Sequence, residues 1–267
     1  MKSLTSADRI LAILDLFSEA RLDWTPEEMM AELGYSRPTL YRYLRPLRQT
    51  GFLTSLPGGG YSLGPRVVEM DFLLRQSDPL TRHGQPYLDA LVAGFPCSAL
   101  LVRWYGEKLL CVASECSAPD PATSYPRGRP MPMARGAISR AIMAFLPRRK
   151  LLGLVAAQAD ELQAIGLGAT AEEILEALRE VRRAGVAVAH GEVTPGAVGI
   201  AAPVFVSGTA PSATLSVTVS ETTLAPGMLD ALQRRLRCDA ATLSARLGHD
   251  RGSEGLPEID TALTAIG

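Results

Sequence analysis

The stretch Gly34-Tyr35-Ser36-Arg37-Pro38-Thr39-Leu40-Tyr41-Arg42-Tyr43-Leu44-Arg45-Pro46-Leu47-Arg48 constrains the fold more than any other. Leu40, Leu44 and Leu47 stand at i, i+4 and i+7 and therefore share one face of a helix. Arg42, Arg45 and Gln49 project from the opposite face, with Thr39 and Tyr41 on the flanks. From Gly34 to Val68 the chain carries arginines at 37, 42, 45, 48 and 66 and neither Asp nor Glu. A solvated helix usually mixes both signs, because opposite charges at i,i+4 stabilise it and like charges do not. A face of one sign suits a surface that meets phosphate. The pattern reads as the turn and second helix of a helix-turn-helix, whose apolar face docks on neighbours while its polar face enters a DNA groove.

The flanking sequence supplies the rest of that module. Ala7 to Glu19 carries Ile10, Ile13, Leu14 and Phe17 at helical spacing and predicts a core-facing helix. In Trp24-Thr25-Pro26-Glu27-Glu28, Thr25 can cap a helix, Pro26 suits its first position and Glu28 can return a bond to the cap. That helix ends at Gly34, a residue suited to positive φ. The connection to Ser36, the expected cap of the basic helix, is short, as the motif requires. After Gly51, the runs Phe52-Leu53-Thr54 and Tyr61-Ser62-Leu63 flank Pro57-Gly58-Gly59-Gly60 and predict a hairpin. Three helices and a hairpin make a winged helix-turn-helix. The triple glycine is not a phosphate loop, because no helix with Lys-Ser/Thr follows it. Pro46 departs from the pattern: a proline inside a helix costs about 3 kcal/mol and usually kinks it. Residues 1–76 hold nine Lys and Arg and nine Asp and Glu. The positive charge is concentrated rather than abundant, which fits a groove-reading helix better than a general polyanion binder.

A length of 267 residues predicts two domains, each able to bury its own core. A net charge of −1 argues against non-specific coating of nucleic acid. No run of apolar residues is long enough for a membrane span. Met1-Lys2-Ser3-Leu4 leads into a polar helix start without a signal-peptide core, so a cytoplasmic location is expected. Cys97, Cys111, Cys116 and Cys238 form no Cys-x-x-Cys and have no histidine at ligand spacing. Buried thiols are expected, with a Cys111–Cys116 redox pair as the alternative; neither a metal nor a cofactor is expected.

Leu63-Gly64-Pro65 breaks the chain, and Arg66 to Gln76 reads as a linking helix. Its Val67, Met70 and Leu74 fit either a seam between protomers or packing on the module's own first helix. A further helix starts at Ser77-Asp78-Pro79 and runs to about Ala93. Ser98–Tyr105 and Lys108–Glu115 predict a strand pair around Gly106-Glu107. Ser117 to Pro132 reads as a long loop. Ala137–Leu146 and Arg148–Ala157 read as helices, and a firm helix spans Thr170 to Ala184, with Thr170 and Glu173 as a capping box and Gly185 as its end. Strands at Val198–Val206 and Ala213–Val219 precede an amphipathic helix from Pro226 to Leu247 and a loose tail over 249–267. Strands at both ends with helices between predict an α+β antiparallel sheet, covered on one face and open on the other for a pocket or partner. The expected boundaries are 1–64 for the winged helix-turn-helix, 65–77 for the linker helix and 78–248 for the second domain.

Several of these segments, in this order, resemble the isocitrate lyase regulator (IclR) family of bacterial transcription factors over about residues 5–248. They are Tyr35-Ser36-Arg37-Pro38-Thr39-Leu40-Tyr41-Arg42-Tyr43-Leu44, Tyr61-Ser62-Leu63-Gly64-Pro65-Arg66, Gly128-Arg129-Pro130-Met131-Pro132-Met133, Val181-Arg182-Arg183-Ala184-Gly185 and Ile200-Ala201-Ala202-Pro203-Val204. The resemblance implies a C-terminal effector domain similar to GAF modules. It also implies homodimers or homotetramers on partly palindromic DNA operators, and effectors that are small organic acids or aromatic catabolites. Carried over residue by residue, the family's pocket falls on Met133, Gly136, Ala137, Ala189, Gly199, Ser216 and Thr218. The family's loop histidine is absent, Arg140 stands for a lysine, and Ala189 and Gly199 replace an acidic residue and a cysteine. Those losses imply a different or more apolar effector than the family average. Alternation puts Ser216 and Thr218 on one face of their strand, and a carboxylate needs such donors, with N–H groups near Gly136, to offset its desolvation.

Base contacts in helix-turn-helix proteins come mainly from the N-terminal half of the second helix. Arg37, Thr39, Tyr41 and Arg42 are therefore the candidate base readers, Arg45 and Arg48 the candidate phosphate contacts, and Ser36 a further candidate DNA-binding residue. An enzyme is not expected: His83, His190 and His249 lie in different segments, and no nucleophile, metal or nucleotide motif occurs. A sensor or interaction module with a degenerate DNA-binding domain stands as the alternative, on account of Pro46 and the uncharged wing tip.

Overall fold

The structure is a computed structural model that describes residues 5–117 and 125–254. The chain divides between Asp78 and Pro79 into two compact units. The first contains α1 (Ser6–Leu14), β1 (Asp23–Trp24), α2 (Pro26–Leu33), α3 (Arg37–Gln49), β2 (Leu53–Ser55), β3 (Tyr61–Leu63) and α4 (Pro65–Ser77). The caps are local and chemical. The Thr25 hydroxyl accepts the Glu28 N–H at 3.3 Å while the Glu28 carboxylate accepts the Thr25 N–H at 2.9 Å, and Gly34 ends α2 at φ 66°. Helix α1 stops at Leu14, short of the expected Glu19, because Ser18 and Arg21 exchange backbone hydrogen bonds at 3.0 Å and turn the chain toward β1. Helix α3 stays continuous through Pro46, whose carbonyl accepts both the N–H and the hydroxyl of Thr50 at 2.9 and 2.8 Å.

Leu40, Leu44 and Leu47 are buried as their spacing predicts, and Tyr43 joins them, together with Ile13, Trp24, Met29, Leu53 and Tyr61. The wing is a three-stranded antiparallel sheet in the order β1-β3-β2. Strand β1 has only two residues, too few to display a period in sequence. Gly64 sits against the hairpin base: a Cβ there would stand 2.2 Å from the Gly51 carbonyl oxygen. Its N–H donates to the Phe52 carbonyl at 2.7 Å, and the Arg66 N–H donates to Gly51 at 3.0 Å. The wing thus clamps the start of α4. No residue of α4 is buried, and Val68, Phe72, Leu73 and Leu74 are each at least half exposed.

The second unit contains α5 (Pro79–Gly94), β4 (Ser98–Trp104), β5 (Leu109–Cys116), β6 (Pro130–Met131), α6 (Gly136–Met143), α7 (Arg148–Ala157), α8 (Ala159–Ala164), α9 (Ala171–Ala184), β7 (Ala187–His190), β8 (Ala197–Val204), β9 (Ala213–Ser220) and α10 (Met228–Glu254). Its sheet runs β6-β5-β4-β9-β8-β7, antiparallel throughout. One face packs Leu101, Ile200, Leu215 and Val217 against Leu88 and Leu91 of α5 and Leu232, Leu236 and Leu243 of α10. The other packs Leu100, Val102 and Leu109 against Ile142, Leu151, Leu162, Ile174 and Leu178 from α6 to α9. Both faces are therefore covered, against the expectation of an open one. Strands buried on two sides read as nearly continuous apolar runs, as Ala197–Val204 does, with seven of its eight residues buried.

Other expectations are corrected in detail. The loop expected over 117–132 contains β6, paired with β5 through Met131 and Leu109, and its residues 118–124 lie outside the described chain. Thr170 caps the Glu173 N–H at 3.2 Å, but the Glu173 carboxylate turns to the Ala169 N–H at 2.7 Å, so the capping box is not reciprocal. Helix α10 continues to Glu254, into the segment expected to be tail; 255–267 lie outside the described residues. All four cysteines are free. Cys111 and Cys116 share strand β5, where five steps of about 3.3 Å hold them roughly 16 Å apart, beyond the reach of a disulfide.

Candidate functional site

On α3, Arg37, Tyr41, Arg42, Arg45 and Arg48 are exposed and Thr39 is half-buried, and Ser36, just before the helix, is exposed. Among the described residues, no carboxylate pairs with Arg37, Arg42, Arg45 or Arg48. Their partners are rings of the same module: Arg37 lies 5.7 Å from the Tyr41 ring centre, Arg42 4.9 Å from Tyr43, and Arg48 5.8 Å from Tyr61 of the wing. Arg42 also donates to the Tyr43 hydroxyl at 3.0 Å. Hydrogen bonding from Ser6, then from Arg42, holds the Tyr43 phenol below its ordinary pKa, against the opposing effect of burial. The Ser36 hydroxyl does not cap the helix as expected; it donates to the Thr39 hydroxyl at 2.9 Å. Tyr41, Arg45, Arg48 and Gln49 continue into a groove floored by Leu53, Thr54, Ser55 and Tyr61. Helix and wing therefore present one continuous surface with unneutralised positive charge.

In the second unit, a cavity of about 40 Å³ lies between the start of α6 and strands β7, β8 and β9. Of the residues expected there, Gly136, Ala137, Ala189, Gly199 and Thr218 line it. Met133 and Ser216 do not: Met133 packs into the helical core, and the buried Ser216 hydroxyl donates to the Leu100 carbonyl at 3.4 Å. Small side chains let α6 approach the sheet, since Ala137 and Ala141 meet Ala187, Ala189 and Ala201. Gly136 opens α6 at φ 88°, and a Cβ on it would stand 2.8 Å from a Val193 methyl. No other residue type meets both conditions.

The loop over 191–196 closes the cavity, and sequence reading missed it. The Glu192 carboxylate accepts the Gly136 N–H at 2.8 Å and pairs with Arg140, both side chains being nearly buried. Arg140 also donates to the Val188 carbonyl at 3.0 Å. The Thr194 and Tyr125 hydroxyls are hydrogen-bonded at 2.6 Å. Arg135, at the mouth, pairs with Glu161. The available signal was Gly191 and Gly196 bracketing a short segment between two strands; both adopt positive φ, 64° and 73°.

A winged helix-turn-helix with a bare basic face, carried on one chain with a domain that holds a cavity between helix and sheet, is the build of a transcriptional regulator with a DNA-binding and an effector domain. Comparison with known proteins identifies which kind. Residues 6–57 match the IclR helix-turn-helix domain, and residues 77–245 match the C-terminal domain of bacterial IclR transcriptional regulators. The chain is 24% identical over 241 residues to the HTH-type transcriptional regulator KipR of Bacillus subtilis, covering 90% of this chain and 95% of KipR. A transcriptional regulator from Rhodococcus sp. RHA1 shares the fold with a TM-score of 0.76 at 22% identity, over 92% of this chain and 99% of that one. An IclR homologue from Microbacterium hydrocarbonoxydans, solved in complex with 4-hydroxybenzoate, does so with a TM-score of 0.72 at 19% identity, over 91% and 99%. The chain belongs to the IclR family of bacterial transcriptional regulators. No helix among the described residues is long and apolar enough to cross a membrane.

Proposed function

We propose that this regulator reads a specific operator through the N-terminal half of α3 and senses a small organic acid or aromatic compound in the cavity at α6. The observation that carries the DNA reading is the set of exposed arginines without carboxylate partners on α3. Arg37, Thr39, Tyr41 and Arg42 are the proposed base readers, lying at the end of the helix that enters the major groove, with Ser36 a further proposed DNA contact. Arg45 and Arg48 are the proposed phosphate contacts. The cavity favours an effector with an apolar or aromatic body, because Ala137, Ile138, Ala189 and Gly199 wall it while Thr218 and the Tyr125–Thr194 pair supply hydroxyls. That chemistry suits a molecule of the type bound in the Microbacterium relative. The exposed apolar residues of α4 favour a homodimer or homotetramer, as water contact over Val68, Phe72, Leu73 and Leu74 is unfavourable. We assign the boundaries as 1–64, 65–77 and 78–248 for the DNA-binding module, linker helix and effector domain, and the cytoplasm as the working compartment.

Selection of genomic DNA fragments by the full-length chain, at physiological salt where non-specific binding is weak, tests this reading. The expected result is a two-fold-related motif with half-sites one or two helical turns apart. If no motif is enriched with or without a mixture of small carboxylic acids, while an acid still binds the protein, the module does not read DNA and the sensor alternative replaces it.

A further inference from the structure

Glu192 occupies the place where an acidic effector would be held. Its two oxygens take the N–H that opens α6 and the guanidinium of Arg140. These are a helix N-terminus and a fork-shaped cation, the pair of donors that best receives a carboxylate. The carboxylate lines the cavity itself. Val193 seats on Gly136, Thr194 bonds Tyr125, and glycines at positive φ stand at both ends of the loop. The space left, about 40 Å³, holds a few waters and not an aromatic ring.

We propose that Glu192 is an internal stand-in for the effector's carboxylate, and that an acid binds by exchanging with it and releasing the 191–196 loop. This rests on the reading of the cavity as the effector site. The charges favour exchange over addition. Arg140 is matched by Glu192 and Arg135 by Glu161, so a second carboxylate brought in beside Glu192 would share one cation with it and repel it. Exchange preserves the local charge, and the effector's apolar body adds burial that the Glu192 side chain cannot supply. Glu192 then sets specificity: it selects ligands whose acid group competes for two donors at once, and it discriminates against their amides. The same exchange couples occupancy to the loop's position.

The test is calorimetric titration of the full chain with benzoate, 4-hydroxybenzoate, acetate and 4-hydroxybenzamide, in the natural protein and in Glu192→Gln. Glutamine keeps the size and the bond to the Gly136 N–H but not the charge pairing with Arg140. Loss of that charge-assisted competition should tighten at least one carboxylate by about tenfold, and the benzamide by much less. The proposal is overturned if no carboxylate gains in Glu192→Gln, or if the acid and the amide gain equally. Circular dichroism checks that the variant is folded, and Glu192→Asp, too short to reach both donors, should also tighten the acid. Hydrogen exchange in the presence of the tightest acid separates this failure from that of the cavity reading. Protection at 136–138 and along β8 without an affinity gain leaves the cavity in place and removes the exchange; protection confined elsewhere removes the cavity.

Discussion

Gly64→Ala tests how the wing is joined to α4. The residue's φ of −97° is open to alanine, so the backbone carries no strain of its own. The difficulty is space: the new methyl would stand 2.2 Å from the Gly51 oxygen, 2.9 Å from its carbonyl carbon and 3.0 Å from the Leu53 carbonyl carbon, all backbone atoms. To relieve this the hairpin base must separate from the α4 start, weakening the bonds from Gly64 to Phe52 and from Arg66 to Gly51. Overpacking costs about 1–3 kcal/mol and the partial loss of the two bonds together about 1 kcal/mol, giving roughly 2–4 kcal/mol. For a unit of this size, whose whole stability is on the order of 8 kcal/mol, that lowers the melting point by roughly 10–25 °C. The chain's two tryptophans lie one in each unit, Trp24 in β1 and Trp104 in β4. In a Trp104→Phe background, Trp24 fluorescence during thermal unfolding therefore reports the first unit. Gly58→Ala at the wing tip, with open space around it, is the control and should shift stability by less than about 1 kcal/mol, in the stabilising direction. A Gly64→Ala transition that coincides with that of Gly58→Ala would refute the packing argument.

Arg42→Ala should cost roughly 1–3 kcal/mol on the selected operator and relax preference at one base position, as read by competition binding. Arg48→Ala should instead weaken all sequences alike and reduce the salt slope by about one unit; equal effects from the two would sink the division of labour along α3. Glu28 is held below the ordinary carboxylate range by the Thr25 N–H, then the Thr25 hydroxyl, then Arg21. Its folded pKa is depressed, so its contribution to stability is present above the ordinary value and lost as pH falls through the folded one. Thr25→Ala should flatten the acid limb of the first unit's melting profile between about pH 5 and pH 2; an unchanged limb would contradict the cap assignment. Burial pushes the Cys97 thiol up to about 12 and the Cys111 thiol to about 11. A disulfide reagent at about pH 8 should therefore label only Cys116 and Cys238 in the native protein, and all four cysteines after unfolding.

The first unit was nearly transparent in sequence because its signals are local. Thr25, Pro26, Glu28 and Gly34 each act within one turn of helix, and the leucines of α3 announce their face by period alone. The exceptions differ in kind. The two-residue strand β1 has no period, and Tyr43, which its spacing of three from Leu40 and four from Leu47 places on the buried face, was passed over in favour of the leucines; its ring meets Tyr35 at 6.0 Å. In the second unit, the four long strands were legible, and the short edge strands β6 and β7 and the surroundings of the sheet were not. Burial on both faces erases the alternation that would say which side faces what. The cavity's expected wall residues on α6 and β7–β9 were reached through motif resemblance. Those that close it, Glu192, Thr194 and Tyr125, act through contacts up to 69 positions apart in the chain. Ser216 and Thr218 share a strand face, yet only Thr218 lines the cavity; the Ser216 hydroxyl is buried and spent on the Leu100 carbonyl.

The alanine and glycine wall between α6 and the sheet limits how this site can change. Ala137, Ala189 and Gly199 have almost no side chain left to lose, so substitution there can only narrow the chamber. A descendant that must accept a bulkier signal cannot carve it from the scaffold, where each small residue also sets the distance between helix and strands. It has to obtain the room from residues 191–196, which contribute no strand to the sheet. New ligand preference in this protein is therefore expected to arise by rewriting a six-residue hairpin tip while the core beneath it stays fixed.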